Sequence, residues 1–280
     1  MSEPAAYTRR SFTARLALFG SALVTLLALP ARLVRARSGG ASAPGAEPKG
    51  ISPRWGMAID LDRCTGCGAC SVACRTENNI PLIGPEPELR GAEIQWMALL
   101  EQPAQAERPG ERLPLPCMHC DNPPCVKVCP VNATYQTDEG IVAQIWDRCI
   151  GCRYCEVACP YGRRYFNFIE PEWPESYTNY LNPDVATRPL GVVEKCTFCT
   201  HRIRRAKEEA RVEERTLEDK DVQRLPACAE ACPAQAIVFG NLADEKSEVA
   251  RQSASPRAFR LLEHLGTRPK VTYLSRDRRS

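Results

Sequence analysis

A chain of 280 residues, 44% hydrophobic and 25% charged, has the length and composition of one large globular domain or two modest ones. Its net charge of +3 sits at the N-terminal end, where Arg9, Arg10, Arg15, Arg32 and Arg35 face Glu3 alone, so the body is near neutral and offers no basic surface for nucleic acid. Cysteine is the outlying quantity: there are 16, in groups too regularly spaced for a disulfide framework.

In chain order, Thr8-Arg9-Arg10-Ser11-Phe12 precedes a mostly apolar run over residues 16–31, the pattern of a twin-arginine export signal over 1–36. That run is shorter than the roughly 20 residues that span a bilayer, and a retained anchor is the other reading. Residues 37–53 have the Gly, Ala, Ser and Pro content of a flexible linker. Residues 56–62 alternate as a strand entering the first cysteine run, Cys64, Cys67, Cys70 and Cys74, with a short helix over 70–78. Residues 84–115, with Trp96 and a proline- and charge-rich stretch, read either as a loop for subunit-specific contacts or as a solvated connector. The second run is Cys117, Cys120, Cys125 and Cys129, followed by Pro130, with a helix over 125–131. A strand over 140–146 leads into the third, Cys149, Cys152, Cys155 and Cys159, followed by Pro160, with a helix over 155–161.

Residues 161–191 hold six Tyr or Phe, one Trp and four prolines, the content of an irregular lid that packs over a site or docks a partner. The fourth run is split. Cys196 and Cys199 precede a charged segment over 201–224, read as a solvated helix, and Cys228 and Cys232 follow it before Pro233, with a helix over 226–236. A strand over 236–241, an amphipathic helix over 255–265 stopped by Gly266, and a strand over 271–274 complete the pattern.

The runs are internally related. Asp62-Arg63-Cys64-Thr65-Gly66-Cys67 recurs as Asp147-Arg148-Cys149-Ile150-Gly151-Cys152, with Glu194-Lys195-Cys196-Thr197-Phe198-Cys199 as a weaker copy. Three close cysteines and a distal Cys-Pro, occurring twice in succession, form the two-cluster ferredoxin signature, in which each distal cysteine ligates the other run's cluster. The geometry requires this: a tight loop wraps three corners of a cubane, and the fourth thiolate arrives from another segment. Cys159 then completes the set Cys117, Cys120 and Cys125, and Cys129 completes Cys149, Cys152 and Cys155. By symmetry the outer runs partner each other, Cys64, Cys67 and Cys70 with Cys232, and Cys196, Cys199 and Cys228 with Cys74; pairing the first run with the second is the alternative.

Sixteen thiolates serve four [4Fe–4S] clusters, with iron as the metal. Structural zinc also takes four cysteines but usually pairs two Cys-x2-Cys knuckles, whereas three of these four groups carry a third cysteine close by. With every cluster supplied, His119 and His201 are not needed as ligands and are left to tune potentials by hydrogen bonds. No nucleotide-binding glycine loop and no nucleophile–histidine pair is visible, so chemistry on a substrate belongs to another subunit.

The stretches CTGCGACSVACRTENNIP, CMHCDNPPCVKVCPVNATY, DRCIGCRYCEVACPYGRRYF and VEKCTFCTHRI with PACAEACP resemble the four-cluster iron–sulfur subunits of the complex iron–sulfur molybdoenzyme family, over residues 55–240. The resemblance implies the outer-with-outer and inner-with-inner pairing. It further implies an electron-transfer role between an NrfD-like, quinol-interacting membrane subunit and a molybdopterin or cytochrome catalytic subunit, in sulfur-compound or other anaerobic respiration. With a twin-arginine signal it implies a periplasmic location. A free-standing periplasmic polyferredoxin is the alternative. The expected fold is α+β, with two interleaved bacterial-ferredoxin-like modules and irregular loop insertions. Residues 54–116 and 190–245 make the outer module, 117–189 the inner module and aromatic loop, and 246–280 a C-terminal extension.

Overall fold

Strand, cysteine loop, short helix: this unit recurs along the whole of the computed structural model, which describes residues 52–86, 91–102 and 111–275, all within one unit, Ile51–Ser280. The expected export signal over 1–36 and all but the last two residues of the expected linker lie outside the described residues. Among the described residues no helix is long and apolar enough to cross a membrane.

β1 (Trp55–Asp60) runs into the first cysteine loop and α1 (Ala69–Glu77). The antiparallel hairpin of β2 (Ala98–Gln102) and β3 (Glu111–Leu115) enters the second loop, which continues into α2 (Pro124–Lys127). β4 (Thr134–Gln136) and β5 (Val142–Gln144) pair antiparallel and lead, through a 3₁₀ turn at Trp146–Arg148, to the third loop and α3 (Tyr154–Val157). β6 (Tyr165–Phe166), α4 (Glu175–Thr178) and β7 (Val193–Glu194) follow, β7 pairing with β6 before the fourth loop. α5 (Thr200–Val212) and α6 (Asp219–Val222) fill the split in that run, ahead of α7 (Ala227–Glu230) and β8 (Ile237–Asn241). α8 (Glu248–Ser253), β9 (Ala258–Phe259) and β10 (Val271–Leu274) end the series.

One four-stranded sheet, ordered β8-β1-β10-β9, forms the floor of the cysteine-bearing core. β1 lies parallel to β10 and antiparallel to β8. Alternation sends Met57, Ile59, Val271, Tyr273, Ile237 and Phe239 to the face shared with cysteines of the first, second and fourth runs. Ala58 and Leu274 point to the other face, where Val249 of α8 covers them. Both central strands are therefore buried along their whole length, as strands covered on two faces must be. Residues 246–280, read as an extension, thus supply two strands of this sheet and the helix that covers it. α1 packs against α7, and α2 against α3.

Three expectations are corrected. The connector over 84–115 contains the β2–β3 hairpin; Pro114, opposite Leu99, disguised it, and a two-stranded hairpin tolerates a missing N–H because its outer edges are unpaired. The charged segment over 201–224 is two helices, not one. α5 ends before Glu214, at φ 51°, and α6 begins with a reciprocal capping box of Glu218 and Asp221; Ile203 and Ala210 give α5 a buried face. The helix expected over 255–265 lies upstream as α8, where the Ser247 side chain accepts the Ala250 N–H. Downstream, the backbone forms β9 and then turns at Leu262, φ 50°, before Gly266 ends a 3₁₀ turn at φ 66°.

Candidate iron–sulfur centres

The second residue after the first cysteine of every run has a left-handed backbone: Gly66 at φ 67°, His119 at 41°, Gly151 at 69° and Phe198 at 55°. This turn aims that residue's N–H back at the first cysteine. His119 N–H donates to Cys117 Sγ at 3.5 Å, Phe198 N–H to Cys196 Sγ at 3.4 Å, and Gly66 N–H bonds the Cys64 thiol. Glycine adopts the conformation without strain, and at Gly151 a Cβ would in addition lie 2.4 Å from the Gly191 carbonyl oxygen.

At His119 and Phe198 the turn costs about 1–2 kcal/mol. Packing offsets it. The two rings, both buried, stack with centroids 3.7 Å apart, and Phe198 meets Phe239 edge-on. The stack joins the loop of the second run to that of the fourth. Replacing Phe198 with alanine is expected to cost about 3–5 kcal/mol. A lowered guanidinium midpoint for loss of cluster absorbance would register it; an unchanged midpoint would mean the loops close without the stack.

A second turn follows three of the distal cysteines. Asn132, Gly162 and Gln235, each three residues after Cys129, Cys159 and Cys232, have positive φ. The Thr134, Arg163 and Ala236 amides then donate to those sulfurs at 3.4, 3.5 and 3.3 Å. Cys74 departs from the rule, since Arg75 rather than proline follows it and α1 continues to Glu77. Asn78 substitutes with its side chain: Nδ2 donates to the Cys74 carbonyl at 2.9 Å and lies 3.7 Å from both Cys74 Sγ and Cys199 Sγ.

The thiols gather in sets. Burial pushes Cys70 up to about 11, and Cys64, Cys232 and Cys67 push in the same direction. These four residues line one cavity. Cys74 is held well above its ordinary value by full burial and then by Cys196, Cys199 and Cys228. Burial pushes Cys120 up to about 12, with Cys117, Cys125 and Cys159 adding to it. Of the remaining thiols Cys155, raised by burial, feels Cys149, while Cys152 is exposed and Cys129 partly so. Neighbouring sets also touch through their fields: Cys70 acts on Cys228, Cys117 on Cys196, and Cys125 on Cys155.

Buried thiols that oppose one another's ionisation need a cationic centre to hold them as thiolates. Tetrahedral zinc, with bonds of about 2.3 Å, would draw its sulfurs within about 4 Å of one another. Among the described residues no three His, Cys, Asp or Glu side chains are close enough to hold a single ion. Thiolates on separate irons of a cubane stand wider apart, and amide donors to sulfur are the tuning device of such clusters. The donor set fits iron–sulfur clusters.

Comparison with known proteins agrees. Residues 110–172 match the 4Fe-4S dicluster domain family and residues 55–76 the 4Fe-4S binding domain family. Over 232 residues, 80% of this chain and 89% of the relative, the sequence is 51% identical to the menaquinone reductase iron-sulfur cluster-binding subunit of Nitratidesulfovibrio vulgaris. This protein belongs to the iron–sulfur subunits of molybdoenzyme complexes. A tetrathionate reductase subunit of Salmonella typhimurium is 36% identical over 80% of the chain and 73% of its own length. A polysulfide reductase subunit of Wolinella succinogenes is 33% identical over 79% of the chain and 94% of its own length. Like other members of this family, the protein is an electron-transfer subunit carrying [4Fe–4S] clusters.

The two histidine rings bond backbone and carboxylate groups. The His119 ring accepts the Val142 N–H through Nδ1 at 3.1 Å, while its backbone amide, not its ring, reaches the Cys117 sulfur. Burial, with Lys195, Lys270 and Arg164 nearby, keeps the ring neutral. His201 bonds Glu77 Oε1 at 2.6 Å, beside the Arg202 guanidinium, and so ties α5 to α1. Sequence reasoning passed over the buried cations. Lys195 donates to the Val142 and Cys196 carbonyls, and Arg188 pairs with Glu194. Arg164 faces Cys125 and Cys155. Adjacency to a cysteine is the one signal available for Lys195, and it is easily read as surface charge.

Proposed function

We propose that the protein carries four clusters in line. One sits on Cys64, Cys67, Cys70 and Cys232, the next on Cys196, Cys199, Cys228 and Cys74. A third sits on Cys117, Cys120, Cys125 and Cys159, and the last on Cys149, Cys152, Cys155 and Cys129. The observation that carries this reading is the unbroken succession of neighbouring thiols from Cys70 to Cys228, from Cys196 to Cys117, and from Cys125 to Cys155. Helix packing supports two interleaved ferredoxin-like modules, α1 with α7 in the outer and α2 with α3 in the inner.

When bound, such clusters exchange one electron each, and the protein sets their spacing, water exclusion and sulfur hydrogen bonding. The succession ends at the two exposed cysteines, Cys67 and Cys152. Ile150, Tyr154 and Val157, all exposed, flank the second of these in sequence and suit an apolar docking partner. We assign the ends to a quinone-linked, NrfD-like membrane subunit and a molybdopterin or cytochrome catalytic subunit. Relatives named as menaquinone reductase and menaquinol oxidoreductase subunits support the quinone link; those named for tetrathionate and polysulfide support sulfur-compound respiration as the second setting. Export to the periplasm rests on Arg9-Arg10 and the apolar run that follows.

Iron and acid-labile sulfide per chain, measured on anaerobically purified protein with EPR during redox titration, test the reading. About sixteen of each, with spin-coupled signals, is the expected result. Iron near half that value would leave only the inner module loaded, and zinc would overturn the wire altogether.

A further inference from the structure

Arg164, in the Tyr161-Gly162-Arg163-Arg164-Tyr165 stretch ahead of β6, is only 3% exposed. Its Nη1 donates to Thr134 Oγ1 and Gln144 Oε1, both at 3.1 Å. Those two residues face each other across β4 and β5, and the Thr134 hydroxyl donates to Gln144 Oε1 at 2.5 Å. The clamp fixes the guanidinium but is electrically neutral, and among the described residues no carboxylate pairs with it. Arg164 Nη2 is buried and bonds no oxygen or nitrogen, while the guanidinium lies within reach of the Cys125 and Cys155 sulfurs. The groups whose negative charge acts on this cation are the thiols of Cys125, Cys155 and Cys117, drawn from the two inner sets. A buried cation held only by neutral partners is costly unless a negative group stands beside it. The thiolates and sulfides of a loaded inner module are such a group, and a donor with no oxygen or nitrogen partner stands at their edge.

We propose that Arg164 is a positioning residue that sets the potentials of both inner clusters: its fixed guanidinium donates through Nη2 to cluster sulfur and raises the two reduction potentials together. Reduction adds one negative charge to a cluster, and a fixed cation beside both inner sets favours that electron on either. The first set has no comparable buried cation among the groups acting on Cys64 and Cys70, so the effect separates the inner pair from it. The proposal rests on two clusters being present in the inner module, and the test distinguishes the failure of each.

The experiment is an EPR-monitored redox titration of the full-length protein and its Arg164→Gln and Arg164→Lys variants, with iron counted in each sample and the last cluster's signal identified by its loss in Cys129→Ser. With Arg164→Gln, both inner clusters are expected to assemble and to show on the order of a tenfold lower reduced-to-oxidised ratio at fixed potential, about 59 mV for one-electron centres. The outer clusters are expected to change less than twofold. Arg164→Lys keeps the charge and recovers most of the shift. Independently of any variant, unmutated protein labelled with ¹⁵N-arginine should show hyperfine coupling between a reduced inner cluster and an arginine N–H, and Arg164→Lys should lose it. Assembled inner clusters with unshifted potentials, equal shifts in all four, or no arginine coupling in the unmutated protein would overturn the proposal. Unmutated protein without inner clusters would overturn it together with the reading it rests on.

Discussion

Replacing Cys129 with serine is expected to remove the cluster we assign to Cys149, Cys152 and Cys155 while the cluster assigned to Cys117 still assembles. Cys129 lies in the second run, so a contiguous scheme would put the damage on its sequence neighbours. The structure supplies reasons for the crossed outcome. Cys159, not Cys129, acts on Cys120, and Cys117 acts in turn on Cys159. Cys129 sits two residues beyond α2, which packs on the helix carrying Cys155, and the Thr134 amide at 3.4 Å orients its sulfur. Iron should fall from about sixteen to about twelve per chain. Loss confined to the Cys117 cluster would instead favour pairing within a run.

Arg188→Met should destabilise the protein by about 3–5 kcal/mol, the usual cost of stranding one member of a buried ion pair. Arg188 and Glu194 are both almost wholly buried and bond each other directly. Burial raises the Glu194 carboxyl, and Arg188 opposes that shift. The same guanidinium donates to the Asn78 and Asn79 carbonyls, at 2.7 and 2.9 Å, and lies over the Trp96 and Trp146 rings. Its loss should therefore loosen the end of α1 just past Cys74 and the side chain of Asn78, which spans Cys74 and Cys199. A second substitution, Glu194→Gln, should recover part of the loss by removing the stranded charge. Denaturant midpoints for the two single variants and the double variant decide the matter, and additive losses would mean that the pair is not coupled.

Cysteine spacing made the four loops, their rank order and the metal class legible, because a cubane imposes a short-range periodicity that survives any surrounding fold. The strand into Cys64 was equally readable from its alternation. What escaped were features fixed by distant partners. The left-handed turns at His119 and Phe198 carry no glycine signature, since each is sustained by the other's ring. Asn78 looks like an ordinary helix cap until its reach to Cys199, 121 residues away, is seen. Arg164, Arg188 and Lys195 read as surface charge because burial of a basic residue depends on neutral or anionic partners brought from other segments. The helix expected over 255–265 failed for a related reason. Its apolar residues serve β9 and a turn in a sheet whose centre belongs to β1, some two hundred residues earlier.

The parallel pairing of β1 with β10 also governs the order of assembly. During synthesis the partner of β1 emerges only after residue 271, by which point all sixteen cysteines, the last at Cys232, have already been made. Until then β1 has one edge unpaired, and the loop that starts at Cys64 hangs from an incomplete floor. The long sequence separation makes this closure slow compared with the local turns around each cysteine run. Completion of the floor beneath the cysteine loops therefore waits for residues 271–274, downstream of every cysteine run.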